Sequence, residues 1–169
     1  MAVNHRRGVV LGGAVVCLVA VIVASASAGF LDRVFGRTPA ETAKAAGVVE
    51  TATQIKIPLS ALNNGKALFL ETAQEGRPLY YFALKGSDGA YRAALDACDV
   101  CYRSNKGYRQ EGDWMVCNNC GQKFPSARIG EIKGGCNPHP LRRRVEGTHL
   151  VIDKADLREG KDYFPGKRS

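Results

Sequence analysis

Residue arrangements that carry common enzymatic chemistry are missing from this chain. Its 169 residues include only three histidines, and they contain no Ser/His/Asp arrangement, no phosphate-binding loop and no suitable pair of carboxylates. Recognised nucleic-acid-binding motifs are missing as well, although the net charge is +8. Ordinary hydrolases and kinases are therefore unsupported, and we expect no nucleic-acid partner.

Charged residues are also missing from residues 8–28. His5, Arg6 and Arg7 precede this run, and the small residues at its end fit a signal-peptide cleavage site. The run is also long enough to cross a bilayer as one helix. We expect residues 1–29 to be a hydrophobic helix that serves as a signal peptide or a membrane anchor. Either role places the rest of the chain on the extracytoplasmic, periplasmic side of a cell membrane, exported if the signal is cleaved.

Residues 30–51 read as a juxtamembrane linker that contains a short helix. Thr38 can cap this helix, Pro39 suits its first turn, and Gly47 can end it. The helix is predicted to be a spacer between the membrane and the following domain.

The region from residue 52 to residue 153 has the pattern of an all-β domain. Short segments separated by turns rich in Gly, Asn and Asp recur about every ten residues, as in small sandwiches and barrels. Strands are predicted at residues 55–59, 66–72, 78–84 and 90–97, with a hairpin at 144–153. Residues 154–169 are predicted to be a polar tail on the surface.

Five cysteines in this domain follow the spacing C-x2-C-x15-C-x2-C-x15-C: Cys98, Cys101, Cys117, Cys120 and Cys136. A two-residue gap lets both thiolates of a pair point at one centre, and a hairpin between the pairs can bring them face to face. Four soft thiolates suit zinc or the iron of an iron–sulfur cluster. The first four are the predicted metal ligands, and Cys136 is a fifth candidate for binding the cofactor.

Three interpretations of these cysteines remain open. Disulfides are common in exported chains, but C-x-x-C closes a very small loop and a fifth cysteine stays unpaired. A structural zinc site explains the spacing of the two pairs. A redox metal centre, an iron–sulfur cluster first of all, is favoured because a domain of this size should not need zinc to fold. The stiff segment Gly134-Gly135-Cys136 with its two following prolines could also lie over a cluster.

The motifs ACDVCY, KGYRQEGDWMVCNNCG and GGCNPHPL, all within residues 97–141, resemble the FtrD-like membrane iron–sulfur protein family. The resemblance extends over residues 52–153. It implies an extracytoplasmic iron–sulfur electron carrier tied to a membrane, in a family whose members are associated with bacterial iron-transport systems, among others.

A more distant similarity concerns the fold. The spacing from Cys98 to Cys117 and the second loop, Cys117 to Gly121, are similar to the cluster loops of Rieske-type domains, with Cys120 at the position of a histidine ligand. Val100 stands at the other histidine position, so the potential of a histidine-ligated centre is not expected. The similarity implies a small Rieske-like sandwich or barrel with two cysteine-bearing metal loops.

The function expected from these observations is electron transfer by a membrane-associated iron–sulfur protein without catalytic activity of its own. Its partner would be a membrane redox protein or an iron permease complex. The alternative is a domain that holds or delivers zinc or copper without electron transfer. A thiol–disulfide protein is a third possibility if no metal is bound.

Overall fold

The computed structural model describes residues 39–168. The predicted signal peptide or membrane anchor at residues 1–29 lies outside them, as does the beginning of the predicted linker. Within the described residues, no helix is both long and apolar enough to cross a membrane. The secondary structure of the described residues consists mostly of antiparallel sheets. This confirms the predicted predominance of β structure.

The first sheet joins the beginning and the end of the domain. It contains β1 (Val49–Glu50), β2 (Gln54–Pro58), β9 (Arg144–Glu146) and β10 (His149–Asp153). The strands are antiparallel in the order β1–β2–β10–β9. The strand predicted at residues 55–59 and the hairpin predicted at residues 144–153 are therefore confirmed.

The second sheet has three antiparallel strands, β3 (Leu68–Gln74), β4 (Arg77–Lys85) and β5 (Tyr91–Leu95), with β4 in the middle. These strands confirm the three predicted between residues 66 and 97, with ends shifted by up to two residues. Six consecutive residues of β4 are buried, which is the pattern of a strand covered on both faces.

The third sheet lies within the cysteine segment. It contains β6 (Tyr108–Glu111), β7 (Trp114–Cys117) and β8 (Lys123–Pro125) in the order β6–β7–β8. The hairpin expected between the two cysteine pairs is thus formed by β6 and β7. The sequence indicated the hairpin between the two cysteine pairs but did not indicate β8, because three residues are too few to show a strand pattern.

Two hydrophobic cores share β4. Tyr81 and Ala83 belong to the first core, which contains buried residues from the first two sheets and none of the cysteines. Phe82 and Leu84 face the second core, which includes Cys98 and Cys117. The cysteine loops are therefore attached to a domain with an apolar core of its own.

The two α-helices within residues 39–168 contribute to the first core. Helix α1 (Pro39–Ala45) confirms the predicted short helix, but Ala43 packs against the core, so α1 is more than a spacer. Helix α2 (Lys154–Glu159) begins the segment that was predicted to be a polar tail. Leu157 and Phe164 from this segment are buried. The sequence did not predict their burial, because each is an apolar residue within a segment of mostly polar composition.

Two glycines beside β6 offer a matched test of the packing around the cysteine segment. Gly107 and Gly112 have similar positive φ angles, 61° and 58°. A Cβ atom on Gly107 would lie 2.5 Å from a carboxylate oxygen of buried Asp96, whereas a Cβ atom on Gly112 would meet nothing within 4 Å.

We expect Gly107→Ala to reduce the free energy of unfolding more than Gly112→Ala does. The left-handed conformation costs each variant about 1 to 2 kcal/mol, and the clash with Asp96 adds about 1 to 3 kcal/mol at Gly107. Denaturant unfolding of both variants measures the difference. Equal losses would show that the close contact with Asp96 carries no energetic weight.

Candidate metal centre

Three loops carry the five cysteines. The first cysteine loop, residues 96–107, follows β5 and contains Cys98 and Cys101. The second cysteine loop, residues 117–122, joins β7 to β8 and contains Cys117 and Cys120. The third cysteine loop, residues 130–140, contains Cys136.

The first cysteine loop is folded around the Cys98 sulfur. The backbone N–H of Cys101 donates a hydrogen bond to Cys98 Sγ over 3.1 Å, and the N–H of Tyr102 donates to the Cys98 carbonyl. A short 3-10 turn, Tyr102–Ser104, follows and ends at Asn105, which has a left-handed backbone. The two-residue spacing of the pair thus gives a turn in which an amide hydrogen points at a sulfur.

The second cysteine loop is a tight turn closed by its own backbone. The N–H of Gly121 donates to the Cys117 carbonyl, and the N–H of Cys117 donates to the Gln122 carbonyl, both over 2.9 Å. Gly121 has a φ of +75°, a conformation that side chains disfavour. The glycine directly after the second cysteine of the pair is therefore needed for this turn.

The third cysteine loop runs beside the first and extends β5 by backbone pairing. The N–H of Leu95 donates to the His139 carbonyl, and the N–H of His139 donates to the Ala97 carbonyl. Gly134 and Gly135 both have positive φ angles, which allow the chain to turn back sharply before Cys136. This pairing brings the third loop against the first.

The five sulfur atoms form two groups that overlap at Cys101. In one group, the sulfurs of Cys98, Cys101 and Cys136 all lie within 4.8 Å of one another, and in the other those of Cys101, Cys117 and Cys120 do. Cys136 Sγ is 3.8 Å from Cys101 Sγ. The structure thus places the four predicted ligands in two groups that share Cys101, and the fifth candidate, Cys136, belongs to the group of Cys98. All five are free thiols rather than disulfides.

The cysteines differ in exposure and in acidity. Cys98 and Cys117 are buried, Cys101 and Cys136 are half-buried, and Cys120 is exposed. Burial raises the pKa of Cys117 to about 11. It also raises the pKa of Cys136, whose thiol touches those of Cys120 and Cys101. The backbone N–H of Gln122 donates to the Cys120 sulfur and holds the pKa of that thiol below its ordinary value.

Two polar side chains contact the cysteines. Asn119 Nδ2 donates to Cys101 Sγ over 3.4 Å. Tyr108 donates its hydroxyl hydrogen to the Cys136 carbonyl over 2.6 Å and also contacts the Cys98 thiol. The sequence predictions above include neither of these residues. Only the position of Asn119 inside the second C-x-x-C pair could have indicated its role.

Basic residues are frequent in the cysteine segment, and their surroundings differ. Arg109 and Lys123 both form ion pairs with Glu111, within 2.8 Å. The Arg103 guanidinium lies over the Tyr102 ring. These three cations are therefore partnered by neighbouring groups rather than directed at the sulfurs.

His139 lies in the third cysteine loop. Its Nδ1 atom lies 3.3 Å from Asp99 Oδ1, and its ring packs against Tyr163. Among residues 39–168, both groups that could hold a metal ion consist of cysteines alone.

The difference in acidity predicts the order of alkylation in the reduced, metal-free protein. A lowered pKa gives Cys120 a larger thiolate fraction than an ordinary thiol at pH 7, and the thiolate is the reactive species. Iodoacetamide should therefore modify Cys120 first, with a half-maximal rate at a pH below that of a free cysteine. Cys117 should react appreciably only as the pH approaches 11.

Mass spectrometry of peptides from protein quenched at successive times measures each rate. Faster modification of Cys117 than of Cys120 at neutral pH would contradict the burial and hydrogen bonding described above.

Comparison with known proteins agrees with the composition of this site. A search of curated proteins gave no match. A family model described as "Membrane iron-sulfur containing protein FtrD-like" matches residues 62–164, more than half of the chain, and this range includes all five clustered cysteines. The chain belongs to the FtrD-like family of membrane iron–sulfur containing proteins.

Proposed function

We propose that this protein transfers electrons through an iron–sulfur centre on the extracytoplasmic side of a membrane. The observation that carries the proposal is the convergence of five free thiols from three loops onto one place. Thiolate sulfur is the ligand that iron–sulfur clusters use in proteins.

The residues around the sulfurs fit such a centre. An iron–sulfur cluster with thiolate ligands is anionic, and hydrogen bonds to the sulfurs stabilise that charge. Donors of this kind are already in place: the N–H of Cys101 points at Cys98 Sγ, and Asn119 Nδ2 points at Cys101 Sγ. In the second loop, backbone N–H groups donate to the sulfurs of Cys117 and Cys120.

The ligands that we propose are Cys98, Cys101, Cys117 and Cys120, with Cys136 beside them. Cys136 touches Cys101 as closely as a ligand of the same centre would, so it is the first replacement if one of the four does not bind. A bound iron–sulfur centre supplies the transfer of single electrons.

The burial of the cysteines gives the site an inner and an outer side. Cys98 and Cys117 belong to the second core, where Tyr108 and Met115 help to exclude water. Cys120 is the exposed cysteine of the five. We therefore assign Cys120 to the side from which a redox partner exchanges electrons.

An apolar core without cysteines favours a redox role over a purely structural one. The first core buries residues from two sheets and from α2, and α1 packs against it through Ala43, so a metal is not needed to hold these elements together. A structural zinc site is typical of domains that lack such a core.

We also propose that the fold is Rieske-like. Three antiparallel sheets, and two cysteine loops separated by the β6–β7 hairpin, support this assignment. The departure from a Rieske centre is the ligand set, because no histidine approaches the sulfurs among residues 39–168 and His139 is held by Asp99. Thiolates alone favour a lower potential than imidazole ligands do.

The sequence and the family support the location and the partner that we propose. The basic start and the uncharged run of residues 8–28 support export or anchoring, with the domain on the periplasmic side. A family of membrane iron–sulfur proteins suits a partner in the membrane, either a redox protein or an iron permease complex in which iron changes its oxidation state.

One distance supports the alternative, a zinc or copper site without electron transfer. In a tetrahedral site with Zn–S bonds of about 2.3 Å, the sulfurs are about 3.8 Å apart. The sulfurs of Cys101 and Cys136 have this separation. The alternative therefore requires a direct chemical test.

Serine substitutions test the proposed centre and its ligands together. Wild-type protein purified without oxygen should be coloured and contain iron and acid-labile sulfide in similar amounts. Replacing Cys98, Cys101, Cys117 or Cys120 by serine should abolish the visible absorption, because each change removes a thiolate ligand. In protein that retains residues 1–29, Cys17→Ser, a change outside the cysteine loops, is the matched control and should keep the colour.

Zinc without sulfide in the wild-type protein would contradict the electron-transfer proposal. Loss of colour in Cys136→Ser combined with its retention in Cys101→Ser would show instead that the fourth ligand is assigned wrongly.

A further inference from the structure

We propose that residues 160–168 form a strap that positions the first cysteine loop, with Arg168 and Tyr163 as the positioning residues. The inference rests on the proposed metal centre, because its consequence is the geometry of Cys98 and Cys101. The family match ends at residue 164, so Arg168 lies beyond the part of the chain that the family model accounts for.

The strap is fixed to the domain by its own packing. Phe164 is buried in the first core and packs edge-on against Tyr80. Gly160 is buried so tightly that a Cβ atom on it would clash with a methyl carbon of Leu95. The strap therefore starts from a rigid point at the end of β5, directly before the first cysteine loop.

Tyr163 contacts the middle of the first cysteine loop. Its hydroxyl donates to Asp99 Oδ1 over 2.5 Å, between the two cysteines of the pair. Its ring packs edge-on against Tyr102, with 5.6 Å between the ring centroids, and also packs against His139 of the third loop. One side chain of the strap thus touches both cysteine loops that meet at Cys101 and Cys136.

Arg168 holds both ends of the first cysteine loop. Its guanidinium donates to the carboxylate and to the backbone carbonyl of Asp96, and its Nε donates to Asn105 Oδ1. Asn105 in turn donates to the Gly166 carbonyl over 3.1 Å. The planar guanidinium can reach these acceptors at once, which a lysine cannot do.

The partner of Arg168 is buried close to the sulfurs. Asp96 is 4% exposed, and it also accepts a hydrogen bond from the N–H of Tyr108 over 2.7 Å. The Tyr108 side chain in turn contacts the Cys98 thiol and donates a hydrogen bond to the Cys136 carbonyl. Removing one partner of a buried ion pair leaves an uncompensated charge, and here that charge would lie beside a set of thiolates.

A small cavity separates the strap from the site. Cys98, Cys101 and Cys117 line it together with Tyr163 and Arg168. The strap is thus part of the wall next to three of the proposed ligands, so its loss would free the first cysteine loop and open the buried side of the site.

Cobalt(II) binding to the full-length, metal-free protein in detergent tests the strap. Cobalt is a suitable probe because thiolate-to-cobalt absorption reports both affinity and geometry. Arg168→Gln should weaken cobalt binding at least tenfold and alter the absorption spectrum. Arg168→Lys keeps the positive charge but loses the planar guanidinium that reaches several acceptors at once. The cobalt affinity of this variant should therefore lie between those of Arg168→Gln and the wild type.

Lys167→Gln is the matched control, because Lys167 is exposed and forms no ion pair within the described part of the chain. It should bind cobalt as the wild type does. Unchanged cobalt affinity and spectrum in Arg168→Gln, with or without a lower melting temperature, would overturn the proposal.

If Arg168→Gln does not fold, Tyr163→Phe decides the question, since it removes only the hydroxyl that binds Asp99. A threefold or larger loss of cobalt affinity supports the strap, and unchanged affinity overturns it. These results are independent of the iron and sulfide content of the wild type, which tests the proposed function separately.

Discussion

The close approach of sulfur atoms at Cys101 is the constraint around which the cysteine segment is organised. Neutral thiols attract one another only weakly at such distances, and the thiolates that bind a metal repel one another, so the loops that carry them must be held by other interactions. Backbone hydrogen bonds provide this restraint: the second loop closes on itself, and the third pairs with the end of β5 through His139. The amide groups that point at Cys98 and Cys120 offset part of the repulsion.

The division of the domain into two cores explains how such a site is compatible with a stable fold. β4 supplies side chains to both cores. The second sheet, which contains β4, therefore stabilises the domain on one face and packs against the cysteine segment on the other. The first core depends on ordinary apolar packing, whereas the second core includes Cys98 and Cys117. Changes at the sulfurs should therefore affect the site before they affect the whole domain, which suits the proposed centre, whose charge would change with each electron transferred.

The sequence predicted the features that depend on neighbouring residues. Alternating apolar residues and Gly-containing turns identified most strands of the first two sheets, and the spacing of the cysteines indicated that their loops would lie close together. Contacts between distant residues were not predictable. Arg168 and Asp96 are 72 positions apart, and nothing near either residue indicates the other. The burial of Phe164 was missed for the same reason, since a single apolar residue in a polar segment carries no periodic signal.

The central claim is that the clustered thiols hold a centre that gains and loses single electrons. A redox titration of the anaerobically purified protein, followed by EPR, tests it most directly. The account predicts a reversible one-electron signal with a midpoint potential below the Rieske range, that is, below about −150 mV and nearer to about −400 mV. A protein that shows no potential-dependent signal across this range would contradict the account.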